Sequence, residues 1–384
     1  MTKKLFDDGM LFCFSAVVTQ CKEVKNGYEV VLDRSAFFPE GGGQAGDVGT
    51  LGGVEVIDTY EKDGEVVHLC KSPLEVGAEV RGEIDEDIRI RRMQNHSGEH
   101  LLMGFIHNKL GYENVGFHMG SDEVLLDLNG VISPEDIREC EQRANEAIAR
   151  NIPITISYPD SDTLAELEYR SKLEMTENVR IVTIEGIDNC ACCAPHMPST
   201  GGIGIVKVIS SESNRGGTRL HILSGLDALD LIRQRMESNA EISHLLSAKP
   251  EKTADAVEKL LNENIALKRQ ITENERRAAE EIISGLKNDS RKSFCVFTRG
   301  LGRNTMREIA NQAVKLTDGA VAVFSEEQGG FGYIIASEKL PLRTMAKDIN
   351  SALGGKGGGS DLMIQGSITA GRGEIEKYFS ELDI

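Results

Sequence analysis

The chain has 384 residues, 40% of them apolar and 27% charged, with a formal net charge of -18 at pH 7. That acidity excludes a protein that coats nucleic acid by general electrostatic attraction, and the apolar share excludes wholesale disorder. At about 100–200 residues per domain, the length predicts two or three domains, each with its own core.

The opening stretch, MTKKLFDDGMLFCFSAVVTQ, follows its lysines with aspartates, and Ser15, Thr19 and Gln20 interrupt a short apolar run. It reads as neither a signal peptide nor a membrane span, and no later segment nears the roughly 18 uninterrupted apolar residues that a spanning helix needs. A cytoplasmic protein with no membrane partner is therefore expected. In that reducing setting the eight cysteines are expected to bind metal or lie buried rather than pair as disulfides.

From Phe12 to about Cys70, short β-rich runs are punctuated by Asn26-Gly27, Gly41 to Gly43, Gly52-Gly53 and Asp63-Gly64. This spacing predicts a small barrel or sandwich over 1–85. Within it, LDRSAFFPEGGGQAGD holds three consecutive glycines, Gly41, Gly42 and Gly43, which suit either a hairpin turn or a close backbone approach to a ligand. Ser35 and Gln44 flank them as hydrogen-bonding groups for a small polar substrate.

DEDIRIRRMQNHSGEHLLMGFIHNKLG predicts one helix stopped at Gly111. A second is predicted after Ser133 as cap and Pro134 in the first turn, where Asp136 places a favourable charge. Strands follow at IPITISY, VRIVTIEGI, IGIVKVISS and TRLHILSG. Helices among strands give an α+β domain over 86–225.

Residues 226–288 read as two long helical stretches broken at Pro250. In the second, Leu260, Asn264, Leu267, Ile271, Asn274 and Ala278 recur at steps of four and three, as a coiled-coil seam or a helical hairpin would require. Beyond lies a compact α/β domain over 289–384: strand, helix, two strands, helix, the glycine-rich loop GKGGG, strand, helix. Arginines and lysines concentrate at IRIRRM and in KNDSRKSFCVFTRGLGRNTMR, which includes Arg303; each run is either a solvated face or a local binding surface.

The chemistry concentrates in two short motifs. HSGEH places His96 and His100 four apart, hence on one helix face. Its glutamate precedes the second histidine rather than following the first, which departs from the zinc-peptidase pattern. NCACCAPHMPSTGGIG sets Cys192 and His196 four apart on a turn. Two such pairs supply four ligands of the types that tetrahedral zinc takes, for either a structural or a catalytic ion. Cys190 and Cys193 remain as alternative ligands, buried fillers or redox targets.

Together FFPEGGGQAGD, HSGEHLL, CCAPHMPSTGGIG and RGGTRLHILSG resemble, in order and flanks, the motifs of the free-standing alanyl-tRNA editing proteins, AlaX, which are similar to the editing domain of alanyl-tRNA synthetase. The tail, ALGGKGGGSDLMIQGS, resembles the DHH-associated C-terminal domain; no DHH triplet occurs, and the long AlaX class is the match implied. The resemblance implies one zinc ion on His96, His100, Cys192 and His196, catalytic roles for Ser35 and Gln44, and substrate contacts from Gly41, Gly42, Gly43 and Arg219. It implies tRNA contacts from Arg303, Gly354, Gly355, Lys356 and Gly357, and a homodimer formed through the stalk and tail. The family usually has threonine where this chain has Ser35, two residues after Asp33, so the hydroxyl survives without its methyl. The activity implied is hydrolysis of seryl- or glycyl-tRNA(Ala), with a non-catalytic tRNA-binding module carrying a structural zinc as the alternative. Because the β pattern begins within about a dozen residues of Met1, too few for an aminoacylation domain of ordinary size ahead of it, a stand-alone trans-editing factor is expected.

Overall fold

A computed structural model describes residues 2–120, 123–171, 179–287 and 291–381. The expected boundary at 288/289 lies outside them. The chain divides into two compact units, 1–241 and 242–384.

The first unit opens with a closed six-stranded barrel, in the order Cys13–Val24, Gly27–Leu32, Glu65–Cys70, Val54–Lys62, Gly49–Leu51 and Glu79–Ile84. Alternation along these strands turns Ala16, Val18, Val30, Leu32, Leu51, Val56 and Val80 into one apolar core. Between barrel strands, Gly42 and Gly43 take φ of 61° and 86°, a left-handed backbone open to glycine. A Cβ on Gly43 would also stand 2.7 Å from the Phe117 carbonyl oxygen.

Helix α1 spans Glu86–Leu110: Asp85 caps it by accepting from the Ile88 amide, and Gly111 ends it at φ 69°. Helix α2, Pro134–Arg150, starts as its sequence requires, with the Ser133 hydroxyl accepting from the Asp136 amide. A four-stranded sheet runs Val206–Asn214, Gly217–Ser224, Val124–Leu128, Asn114–Met119, and a three-stranded one runs Ile154–Ser157, Ile181–Ile184, Asp188–Ala191. A short helix α3, Ser161–Glu166, lies between the first two strands of the smaller sheet in sequence. Met93, Leu101 and Leu102 of α1 join Ile137 and Cys140 of α2 and Leu126, Leu220 and Ile222 of the larger sheet in one core. The overall class is thus α+β with a small barrel, as the sequence predicts.

A buried ion pair fastens α1 to the barrel segment. Arg89 donates through Nε to both carboxylate oxygens of Asp47, at 3.0 and 2.9 Å, and its Nη2 reaches Asp47 and, at 2.7 Å, the Ala36 carbonyl. Both side chains are fully buried, and Asp47 also accepts from the Phe38 amide at 2.6 Å. The pair therefore fixes the segment leading into the glycine run against the helix that carries His96 and His100.

Helix α4, Gly225–Leu245, begins in the first unit and crosses the division. The second unit contains α5, Thr253–Leu286, preceded by a turn at Pro250–Lys252 where proline was expected to break the helix. Its five-stranded sheet runs Phe294–Arg299, Val321–Glu327, Gly330–Ala336, Met363–Ile368, Gly355–Gly359, with α6 at Arg303–Ala313, α7 at Leu342–Ala352 and α8 at Arg372–Glu381. One expectation is corrected here: the run expected as a loop is an edge strand, Gly355–Gly359, paired antiparallel to Met363–Ile368. Glycine is tolerated because the strands approach closely; a Cβ on Gly357 would stand 2.4 Å from the Gln365 carbonyl oxygen and 2.3 Å from the Tyr333 hydroxyl. The seam of α5 is exposed from Val257 to Asn274, and the helix packs on its sheet only around Ala279 and Ile283. Among the described residues no helix is long and apolar enough to cross a membrane.

Candidate metal centre and its cavity

Helix periodicity brings His96 and His100 to one face of α1, and the turn after Asp188–Ala191 delivers Cys192 and His196 opposite them. The ligand atoms of all four lie within 4.8 Å of one another. Cys192 Sγ stands 3.5 Å from His96 Nε2 and 3.4 Å from His196 Nε2. A tetrahedron with bonds of about 2.0–2.3 Å has edges of about 3.3–3.8 Å, so these spacings fit a four-coordinate ion.

The outer nitrogens of the three imidazoles carry the stronger argument. His96 Nδ1 donates to Gln44 Oε1 at 2.9 Å and His100 Nδ1 to Asp188 Oδ2 at 3.3 Å, while His196 Nδ1 shares a hydrogen bond with the Ser97 hydroxyl at 3.1 Å. For His96 and His100 those acceptors assign the proton to Nδ1, leaving their Nε2 lone pairs turned toward the shared centre. Asp188 is itself gripped by Arg170 through two 2.8 Å bonds. His100, Asp188 and Cys190 form another donor group, but the Arg170 guanidinium already supplies the positive charge there.

Burial alone would push the Cys192 thiol up, yet the neighbouring His96 and His196 hold it well below its ordinary value. A thiolate is the metal-binding form. Burial drives His196 down to about 3, which keeps its imidazole neutral and able to bind. The residues present therefore fit a metal ion, with a donor set of three imidazoles and one thiolate.

The centre opens onto a cavity of about 720 Å³ walled by His96, His100, Cys192, Glu99, Phe38 and Phe117 among others. That volume falls within the range of small-molecule sites. Gly41, Gly42, Cys190 and Cys193 also line it, so both spare thiols face the same space. Gly43 sits behind the wall against Phe117.

Two expected site residues stand elsewhere. Ser35 is fully buried, and its hydroxyl donates to His68 Nε2 at 2.7 Å while accepting from the Phe37 amide at 3.1 Å. With these bonds made inside the barrel, it presents no group to the cavity. Arg219, on the strand Gly217–Ser224, lies off the wall and makes a two-pronged bond to Asp127 at 2.7 and 2.8 Å. Gln44 is likewise off the wall, but its bond to His96 makes it an orienting residue. In the second unit Arg303 opens α6, Gly355, Lys356 and Gly357 lie on the exposed glycine edge, and Gly354 precedes it.

Sequence reasoning passed over Ser97, Asp188, Arg170 and Asn114. The first two lay inside the quoted motifs or just before them, one residue after His96 and four before Cys192. Arg170 and Asn114 reach the site through strand pairing and carry no local signal.

The family model described as threonyl and alanyl tRNA synthetase second additional domain matches residues 179–221, which hold Cys192 and His196, and that of class II (A) tRNA synthetases matches 9–88. The alanyl-tRNA editing protein AlaX-L of Pyrococcus horikoshii is 27% identical over 99% of this chain and 98% of its own. Alanyl-tRNA editing protein Aarsd1 of Danio rerio is 27% identical over 94% of this chain and 90% of its own. The alanine–tRNA ligase of Archaeoglobus fulgidus is 31% identical over 96% of this chain, which spans only 42% of that enzyme. The chain is thus similar to alanyl-tRNA editing proteins over nearly the whole length of both.

Proposed function

We propose that the chain hydrolyses the ester joining a wrong amino acid, serine or glycine, to tRNA(Ala), at a zinc centre held by His96, His100, Cys192 and His196. The observation that carries this reading is the convergence of four donors, three of them on the wall of an open cavity. A structural staple is closed off by protein, whereas here His96, His100 and Cys192 face the cavity; this favours hydrolysis over the non-catalytic alternative.

Zinc bound there supplies a fixed positive charge that orients and polarises the substrate. Gln44 and Asp188 hold His96 and His100 in their metal-binding tautomer, and Ser97 fixes the ring of His196. Gly41 and Gly42 present bare backbone to the acyl ester, and Phe6, Phe38 and Phe117 exclude bulk water from it. Editing answers a physical limit: a pocket built for alanine scarcely rejects smaller glycine, and serine adds only a hydroxyl.

The reading gives the second unit to tRNA, gripped by Arg303 and by the glycine edge with Lys356, where an absence of side chains admits a phosphate backbone. It places the protein in the cytoplasm, and it makes the protein a homodimer through α5. The test is deacylation of seryl-, glycyl- and alanyl-tRNA(Ala) by zinc-loaded protein. Loss of serine or glycine with alanine retained is expected, with at least about 100-fold slower turnover in His100→Ala, the loss that a broken metal centre produces. No loss of any, or full activity in His100→Ala, overturns the proposal.

A further inference from the structure

In the HSGEH stretch, His96 and His100 are donors and Ser97 orients His196, but Glu99 has no part in holding the metal centre. Its side chain is 4% exposed and forms part of the cavity wall. Oε1 accepts from Asn114 Nδ2 at 2.6 Å, and Asn114 is pinned in turn by the Gly116 amide at 3.0 Å. Oε2 lies 3.9 Å from His100 Nε2, the nitrogen that faces the donor cluster. Glu99 thus directs one oxygen into a neutral clasp and the other to the edge of the metal locus.

A carboxylate this deeply buried is costly without a cation. Among the described residues the basic side chains of the wall bond other groups, although Arg180 Nη2 has no partner. Arg170 is committed to Asp188 through Nε and Nη2. Arg180 is bonded to Asp7 through Nε and to the Cys192 and Ala194 carbonyls through Nη1, and Lys4 pairs with Glu61. Among the described residues the Glu99 carboxyl forms no ion pair with lysine or arginine, and its Oε2 stands at the edge of the donor cluster, beside the place where the scissile ester would lie.

We infer that Glu99 receives the α-ammonium group of the aminoacyl ester, an assignment that rests on the editing reading above. Near the scissile bond this ammonium is the substrate's one cation, and the tRNA around it is anionic. Holding it at Oε2 sets the ester carbonyl at the metal locus through a two-bond link, and it selects esters with a free primary amine. Esters with a blocked amine, including those of peptidyl-tRNA, lose this contact and place an uncharged amide against a buried carboxylate.

The test compares wild-type and Glu99→Gln protein, both zinc-loaded, on seryl-tRNA(Ala) and N-acetylseryl-tRNA(Ala). It also measures binding of the non-cleavable amide 3′-seryl-amino-3′-deoxyadenosine and its N-acetyl form, and zinc affinity by chelator competition. Glutamine keeps the Asn114 bond through its amide oxygen, so the variant retains the local fold. The wild type is expected to favour the free amine by about 10- to 100-fold in both kcat/KM and Kd, the worth of one charge-assisted hydrogen bond. The preference is expected to shrink to within about threefold in Glu99→Gln, the residue of a neutral hydrogen bond, with zinc affinity unchanged. Equal losses on both esters, no wild-type preference, or a tenfold fall in zinc affinity overturns the assignment. Cleavage of neither ester by wild type overturns the editing reading instead, and the amide pair still decides whether Glu99 selects an amine.

Discussion

His68 lies at the middle of the barrel, where its Nδ1 donates to the Val30 carbonyl at 3.0 Å and its Nε2 accepts from Ser35. Burial lowers it from 6.5 to about 4. The unfolded chain takes up this proton near pH 6.5 and the folded one only near 4, so between those values the unfolded state binds more protons and stability falls as pH falls. The expected loss across the window is on the order of 3 kcal/mol, with no contribution above it. Urea unfolding of wild type and His68→Gln at pH 6.5 and 4.5 measures this; equal pH dependence in the two proteins refutes it. The same pair shows what the sequence could and could not say. Cys192 and His196 were legible because metal chelation is written in local spacing. Ser35 was read as substrate-facing because its partner lies 33 residues away and the pairing of barrel strands alone brings them together.

Helix α1 shows the same division. Its end at Gly111 was legible, since a left-handed glycine acts locally, but its burial was not. A run from Met93 to Ile106 is buried on nearly every face, so no amphipathic stripe marks which side meets the core. Gly98 is the sharpest instance: a Cβ there would stand 2.0 Å from Ser224 Oγ and 2.7 Å from its Cβ. Alanine normally favours a helix interior by about 1 kcal/mol over glycine. Here overpacking reverses the sign, and Gly98→Ala is expected to destabilise the protein by about 1–3 kcal/mol, measured as a lower urea midpoint at unchanged slope; a raised midpoint refutes this. The glycine edge of the second sheet was misread for a related reason, because a strand made of Gly355 to Gly359 carries no β-forming side chain and is defined only by its partner Met363–Ile368.

For the whole molecule, the exposed seam of α5 bears on assembly. Leu260, Leu267 and Ile271 are each more than half exposed, and Asn264 and Asn274 share their heptad line. Buried asparagines in such a seam are best met by the same asparagines of a second copy, which favours a self-pairing over an unrelated apolar partner. Light scattering is expected to give twice the 41.9 kDa of the chain, and the double variant Leu267→Lys, Ile271→Lys is expected to halve it; a monomeric wild type refutes the seam. The sequence reading set a boundary between the barrel and the α+β layer at 85/86, inside what is one compact unit over 1–241. The bond between Arg89 and Asp47 crosses that boundary. A gene cut there would give each fragment one orphaned charge from a fully desolvated pair, so the two pieces cannot be shuffled between relatives as independent modules. Recombination that keeps the fold must exchange them together or carry both partners across.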